Sequence, residues 1–210
     1  MEYAQLNEAL TEAIQVTTHG NVEWDSTHFC PASALTPEEA TMFRVVSLTA
    51  TEQPEFDPLT QTVIRDGCEK LGDVWQYKWR IDALTAEQIE ANLAALKASK
   101  VTAIKAERDR RKFNGVLVST KWIHTDTYSR TQWMGMVMMG ASVPAISWTT
   151  MDNTSITTSQ ALAGAVFQAT ATLDSTLFAF AKSLIDTVNA SSDPAGVDIT
   201  AGWPATFEGA

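Results

Sequence analysis

The chain has 210 residues, 45% of them apolar, enough to fill one sizeable domain or two small ones, which excludes general disorder. Its 15 basic and 25 acidic residues leave a net charge of −10 and a pI near 4.7. Its long-range field therefore repels nucleic acid and anionic lipid, and a nucleic-acid coat is excluded.

Leu6, Leu10, Ala13 and Ile14 recur at helical spacing, so an opening helix is expected. Thr17 to Ser33 reads as irregular. Thr36-Pro37-Glu38-Glu39 signals a short helix, with Thr36 as cap, Pro37 at its first position and two acids at its positive end. Phe43 to Leu48 reads as a strand and Pro54 to Pro58 as a connector. Thr62 to Ile64 and Val74 to Ile81 read as strands separated by turns at Gly67 and Gly72. In the last strand Trp75, Tyr77, Trp79 and Ile81 share one face, which is expected to be buried, and Val74, Gln76, Lys78 and Arg80 the wet one.

The clearest helix begins after Thr85. Thr85 and Gln88 form a capping box, Leu84 and Ile89 a hydrophobic staple, and neither Gly nor Pro intervenes before Gly115. Its seam, Ile89, Leu93, Leu96 and Ala103, meets Lys100, so it can serve a short bundle or oligomer contact and no long coiled coil. Gly115 to His124 suggests a strand, Asp126 or Thr127 to Gly140 a helix, and Ala145 to Thr150 a strand turning at Asp152-Asn153 into Ser155 and Ile156. The final helix, about Ser159 to Ala190, carries a stripe of Leu162, Val166, Leu173, Leu177, Phe180, Leu184 and Val188, and the tail around Gly202-Trp203-Pro204 is loop-like.

Charge divides the chain in the same places. Residues 1–84 carry 5 basic and 14 acidic groups, 85–112 carry 7 and 4, and 113–210 carry 3 and 7. The expected organisation is a small N-terminal β-containing α+β region (1–84), a basic connecting helix (85–112) and a C-terminal α+β domain (113–210). In the last, a small antiparallel sheet packs on helices.

Chemistry-bearing motifs are sparse. Cys30 and Cys68 are too few for a disulfide framework, which favours reduced, cytosolic synthesis. His19, His28 and Cys30 match no common zinc spacing. His124-Thr125-Asp126 lacks a nucleophile elbow and reads better as a strand end entering a helix cap, and phosphate-loop motifs are absent. No catalytic, cofactor or metal residues are therefore expected. Met1-Glu2-Tyr3-Ala4 opens no secretory signal. Trp133 to Trp148, about 16 residues broken by Ser142 and Pro144, falls short of the roughly 20 that a membrane span needs.

Two groups are candidates for partner binding. Arg108 and Arg111, in the basic run Lys105 to Lys112, could grip an anionic partner, although the helix dipole alone favours arginines there. Trp133, Met134, Met136, Met138 and Met139 make a soft, polarizable cluster suited to core packing, the first expectation, or to a repackable partner surface.

Residues from about 85 to 207 resemble an uncharacterised domain of tailed-bacteriophage proteins, often encoded among tail-fibre genes. The resemblance rests on Arg110-Arg111, Gly115-Val116, Asp126-Thr127-Tyr128-Ser129-Arg130, Trp148 before Asp152-Asn153, Asp198-Ile199 and Gly202-Trp203-Pro204. Residues 54–84, with Pro54-Glu55-Phe56-Asp57-Pro58 and Gln61, look like the segment preceding such domains in small tail and tail-fibre assembly proteins. The resemblance implies no catalytic residues, and Ser129-Arg130 are expected to cap a helix and pair with a carboxylate. It implies a tail-fibre assembly chaperone or fibre-associated protein that contacts the trimeric fibre in the host cytoplasm, with retention on the virion tail open. The alternatives are a permanent adaptor between fibre and baseplate, and a glycan-binding tip using Trp75, Tyr77, Trp79 or Trp203. Nucleic acid and membrane are not expected partners.

Overall fold

The computed structural model describes residues 2–11, 13–17, 21–25 and 28–207, with the side chains of 14–30 outside the description. The fold is α+β, in two compact units, Met1–Ala91 and Asn92–Ala210. The division falls inside the helix Ala86–Lys112.

The N-terminal unit is built from β1 (Glu2–Leu6), β2 (Ala13–Thr17), β3 (Asn21–Asp25), β4 (His28–Pro31), α1 (Pro37–Met42), β5 (Val45–Leu48), β6 (Gln61–Leu71) and β7 (Val74–Ala83). The expected opening helix is instead an antiparallel hairpin, with Tyr3 opposite Thr17 and Gln5 opposite Gln15. Burial explains the outcome: Ala4 and Leu6 enter the core at a spacing of two, the period of a strand. Between the strands, Asn7 Oδ1 accepts the Thr11 amide proton at 2.9 Å and Leu10 takes φ +58°, so the i, i+4 coincidence of Leu6 and Leu10 falls across a turn. Thr17 to Ser33 is likewise more regular than expected, because β3 and β4 pair antiparallel. His19 lies outside the described residues, as do the side chains of His28 and Cys30.

Strand order in the first sheet is β2-β1-β5. Thr36 caps α1 reciprocally with Glu39, as the sequence signals, and Glu39 is held below the usual carboxylate range by the Thr36 backbone amide first and its hydroxyl second. The β6–β7 hairpin is one long ribbon. Gly67 (φ +80°), where a turn was expected to end the first strand, instead bulges it between Arg65 and Cys68, and Gly72 (φ +62°) lies in the expected turn at its tip. Tyr77 is buried and Trp75 and Trp79 half-buried against Ala4, Leu6, Leu48 and Cys68, whereas Ile81 extends past the core and is exposed. Arg65 lies 4.1 Å from the Tyr77 ring centroid and pairs with Glu2.

From Asn92 in α2 (Ala86–Lys112), the C-terminal unit continues through β8 (Val116–Val118), β9 (Lys121–Ile123), α3 (Thr127–Met139), β10 (Ser147–Thr149), β11 (Ser155–Thr157) and α4 (Gln160–Ala190). The single strand expected over 115–124 folds as a hairpin, because Ser119 (φ +48°) and Thr120 (φ +68°) form its tight turn. With β10–β11 it gives two antiparallel ribbons rather than one sheet.

At 31 residues, α4 is about 46 Å long and supports two cores in succession. Leu162, Ala163 and Val166 pack with Val116, Val118, Ile123 and Trp133. Leu177, Ala181 and Val188 pack with Ile104 and Trp203, while half-buried Leu173 borders both clusters. Thr85 and Gln88 cap α2 as expected, but its buried contact is Ile104, and Ala103 is exposed. Lys100, a misfit for a coiled-coil seam, donates to the carbonyls of Ala195 and Val197 at 2.8 and 2.6 Å. Lys97 likewise caps the Asn189 carbonyl at the negative end of α4.

Leu177→Ala is expected to lower stability by about 2–5 kcal/mol, and Phe167→Ala, half exposed on the same helix, by less than about 1 kcal/mol, in urea titrations followed by circular dichroism. The Gly115 backbone sits at φ +83°, and a Cβ there would meet Met151 Sδ at 2.3 Å and the Ile123 carbonyl oxygen at 3.2 Å. Gly115→Ala should therefore cost about 1–3 kcal/mol in the same assay.

Candidate functional site

The α3–α4 pair presents the site, and one arginine sets its geometry. Asp126 caps α3, accepting the amide protons of Tyr128 and Ser129 and the Ser129 hydroxyl proton. These bonds, the Ser129 hydroxyl first, hold its carboxyl below the usual aspartate range. One turn on, Arg130 makes a bidentate pair with Asp174 of α4 at 2.7 and 3.0 Å, and donates to the carbonyls of Thr125 and Lys112. The structural pairing expected for Arg130 is thus present, with Asp174 as the carboxylate. Four segments meet at this guanidinium: the end of α2, the Thr125 loop, α3 and α4.

Beside the pair runs a cleft of about 290 Å³ whose polar end is Arg130, Asp174, Thr131 and Thr170. Its apolar walls are Trp133, Met134, Phe167 and Ala171. An α3 apolar on nearly all sides would be expected to be buried, yet only Ser129 and Trp133 are buried. Trp133, 2% exposed, is a core residue whose ring centroid lies 4.5 Å from that of Trp148 with the rings tilted by 45°, and Met136 is half-buried on the same core; both leave the set of surface candidates. Met134, Met138 and Met139 remain on the surface, Met138 being 81% exposed, together with Tyr128 and Phe167. Neither Tyr128 nor Phe167 is among the candidates the sequence offers for partner binding, although Phe167 lies off the buried stripe of α4, which is the signal that an aromatic residue faces outward.

Internal contacts occupy the basic run. Arg108 makes two bonds to Asp109 and lies 4.3 Å from the Phe178 ring centroid. Arg111 is buried and donates to Glu107 at 2.6 Å and to the Pro204 carbonyl at 3.1 Å. As anion-gripping candidates both are therefore corrected: their planar donors are committed to this chain's own carboxylates and backbone. His124-Thr125-Asp126 is also architectural, since Thr125 accepts the Gly115 amide proton and donates to Lys112. Among the described residues, no three or more His, Cys, Asp and Glu are grouped to hold a metal ion, and no helix is long and apolar enough to cross a membrane.

Glu107, between Arg110 and Arg111, has its carboxyl pulled from the ordinary 4.5 down to about 2, chiefly by hydrogen bonds from Arg110 and then Arg111. A depressed carboxylate stabilises the fold fully above its unfolded pKa, and that contribution is lost as pH falls from about 4.5 toward about 2. Glu107→Gln should accordingly flatten the decline of melting temperature across that window while lowering stability at pH 7. Asp174→Ala should cost about 2 kcal/mol, less than a fully buried pair because both side chains are partly exposed. Arg130→Met should cost more, since it also strands two backbone carbonyls; urea denaturation of both variants measures the difference.

No curated protein and no solved structure matches the chain. A family model described as a domain of unknown function, DUF4376, matches residues 95–201, which begin within α2 and run through α4 into the tail. With just over half of its length matched, the chain belongs to the DUF4376 family.

Proposed function

We propose that this chain is a tailed-bacteriophage protein that binds the trimeric tail fibre through the α3–α4 face and acts in fibre assembly in the host cytoplasm. The observation that carries the reading is the uncovered methionine surface: Met134, Met138 and Met139 beside Tyr128 and Phe167, on a helix pair locked by Arg130 and Asp174. Unbranched thioethers repack against differing apolar shapes, which suits a protein meeting a fibre before its apolar edges are paired. The rigid pair beneath limits the ordering cost to the side chains themselves. At the polar end of the face Arg130 is engaged by Asp174, and Thr131 donates to the Thr127 carbonyl. The resemblance of residues 85–207 to phage tail-fibre-associated domains supplies the partner class.

A glycan-binding tip is less well supported, because Tyr77 and Trp203 are buried and Trp75 and Trp79 half-buried, so the aromatic platforms are largely used for packing. Co-expression with a trimeric phage tail-fibre protein provides the test. The wild-type chain should raise the yield of soluble, trimeric fibre, and Met134→Lys combined with Met138→Lys should abolish the gain while leaving the circular dichroism melt unchanged. A fibre equally soluble and trimeric without the chain would sink the assembly role. Stoichiometric copies in purified particles, counted by mass spectrometry, would move the reading to a permanent fibre adaptor at the baseplate.

A further inference from the structure

Just beyond α2, an asparagine fastens the C-terminal tail, and this fastening is independent of the α3–α4 face. Asn114 brackets the backbone of Phe207: its carbonyl accepts the Phe207 amide proton at 2.8 Å, and its side-chain Nδ2 donates to the Phe207 carbonyl. The same Nδ2 lies 3.5 Å from the Thr206 hydroxyl, and the Phe207 ring centroid lies 6.1 Å from that of Trp122. A carboxamide carries the donor and the acceptor of a peptide group, so residue 114 receives the tail much as a neighbouring strand would. An ionised carboxylate in its place only accepts, and would set its charge against the Phe207 carbonyl oxygen.

The next residue is fixed by a separate need. Gly115 has φ +83°, and a Cβ there would collide with Met151 Sδ. The tail thus calls for an amide at 114 and the fold for a glycine at 115, and together they make the one Asn-Gly dipeptide of the chain. In that dipeptide no Cβ shields the glycine nitrogen, which can attack the asparagine Cγ. The nitrogen loses its proton, the new N–C bond closes a five-membered succinimide, and the side-chain nitrogen leaves as ammonia. Water then opens the ring at either carbonyl, giving aspartate or isoaspartate, and no oxidant or reductant takes part.

Both reacting groups are occupied in the folded chain. Gly115 donates its amide proton to the buried Thr125 hydroxyl at 2.8 Å, and the tail holds the Asn114 side chain. The detachable length is short. Trp203 packs with Ile104 and Leu177, and Arg111 donates to the Pro204 carbonyl, so lifting Ala205 to Phe207 is enough to free the Asn114 amide. End segments of this kind open at much lower free energy than a core. We propose that Asn114-Gly115 is a spontaneous deamidation site gated by the tail: the docked tail keeps the amide intact, and conversion in a chain whose tail has lifted prevents that tail from docking again.

The test incubates the full-length protein in mildly alkaline buffer and follows the tryptic peptide Phe113–Lys121 by mass spectrometry, which separates the asparagine, aspartate and isoaspartate forms. The folded chain should convert at least about tenfold more slowly than the same chain in urea, because the rate follows the open population. Phe207→Pro removes the amide proton that Asn114 accepts, and Phe207→Ala removes the ring from Trp122. Each should speed conversion several-fold while the melting curve stays close to wild type. Asn114→Asp supplies the product directly: protection of the Phe207 amide against hydrogen exchange should fall at least about tenfold relative to the Leu177 amide of the core. Equal rates in the folded and urea-unfolded chain, unchanged rates in both Phe207 variants, or a Phe207 amide as protected in Asn114→Asp as in wild type would each overturn the proposal.

Discussion

The C-terminal unit depends on one half-buried arginine whose donors are all directed at fixed acceptors. Arg130 is the junction of four segments, and its planar fork matches what each offers: two carboxylate oxygens on Asp174 and the carbonyls of Thr125 and Lys112. A lysine could satisfy one or two of these acceptors at a time. Because the bond pattern is fixed in direction, the end of α2, the start of α3 and the middle of α4 have one mutual arrangement, and Val116, Val118, Ile123, Trp133, Leu162 and Val166 are placed to close the core beneath it.

That arrangement explains how an apolar helix can remain uncovered. α3 commits Ser129, Trp133 and Met136 to the interior and leaves Met134, Met138 and Met139 outside. Exposed apolar residues in such density normally invite collapse onto the fold's own core. Here the core face is already filled by Trp133 against Trp148, so the outer methionines have no interior position to take. The exposure thus follows from packing on the opposite side of the same helix, and the face is available to another chain.

Legibility in the sequence tracked the range of the interactions concerned. Caps and turns are local, and the Thr36–Glu39 and Thr85–Gln88 boxes, the Asp126 cap and the Asn153 turn stand where the residues indicate. The long stripe of α4 is equally visible, since every member from Leu162 to Val188 is buried or half-buried. What sequence alone could not decide were matters of pairing. Leu6 and Leu10 match a helix or a hairpin until β5 is seen to take the other edge of β1, and Arg108 and Arg111, whose pairs with Asp109 and Glu107 are local, match an anion grip until the Phe178 ring and the Pro204 carbonyl are brought to them. The division of the methionines into core and surface is likewise invisible from composition, because it depends on which face of α3 the β8–β9 ribbon and α4 cover.

The central claim is that the outer methionines of α3 are a contact surface and not merely tolerated exposure. Methyl-13C methionine spectra of the full chain, recorded with and without the trimeric fibre, address it most directly, with exposed Met42 of the N-terminal unit as an internal control. The expected result is that the Met134, Met138 and Met139 signals shift or broaden on adding fibre while Met42 does not. Unchanged signals from all three α3 methionines in the presence of a bound fibre would contradict the claim.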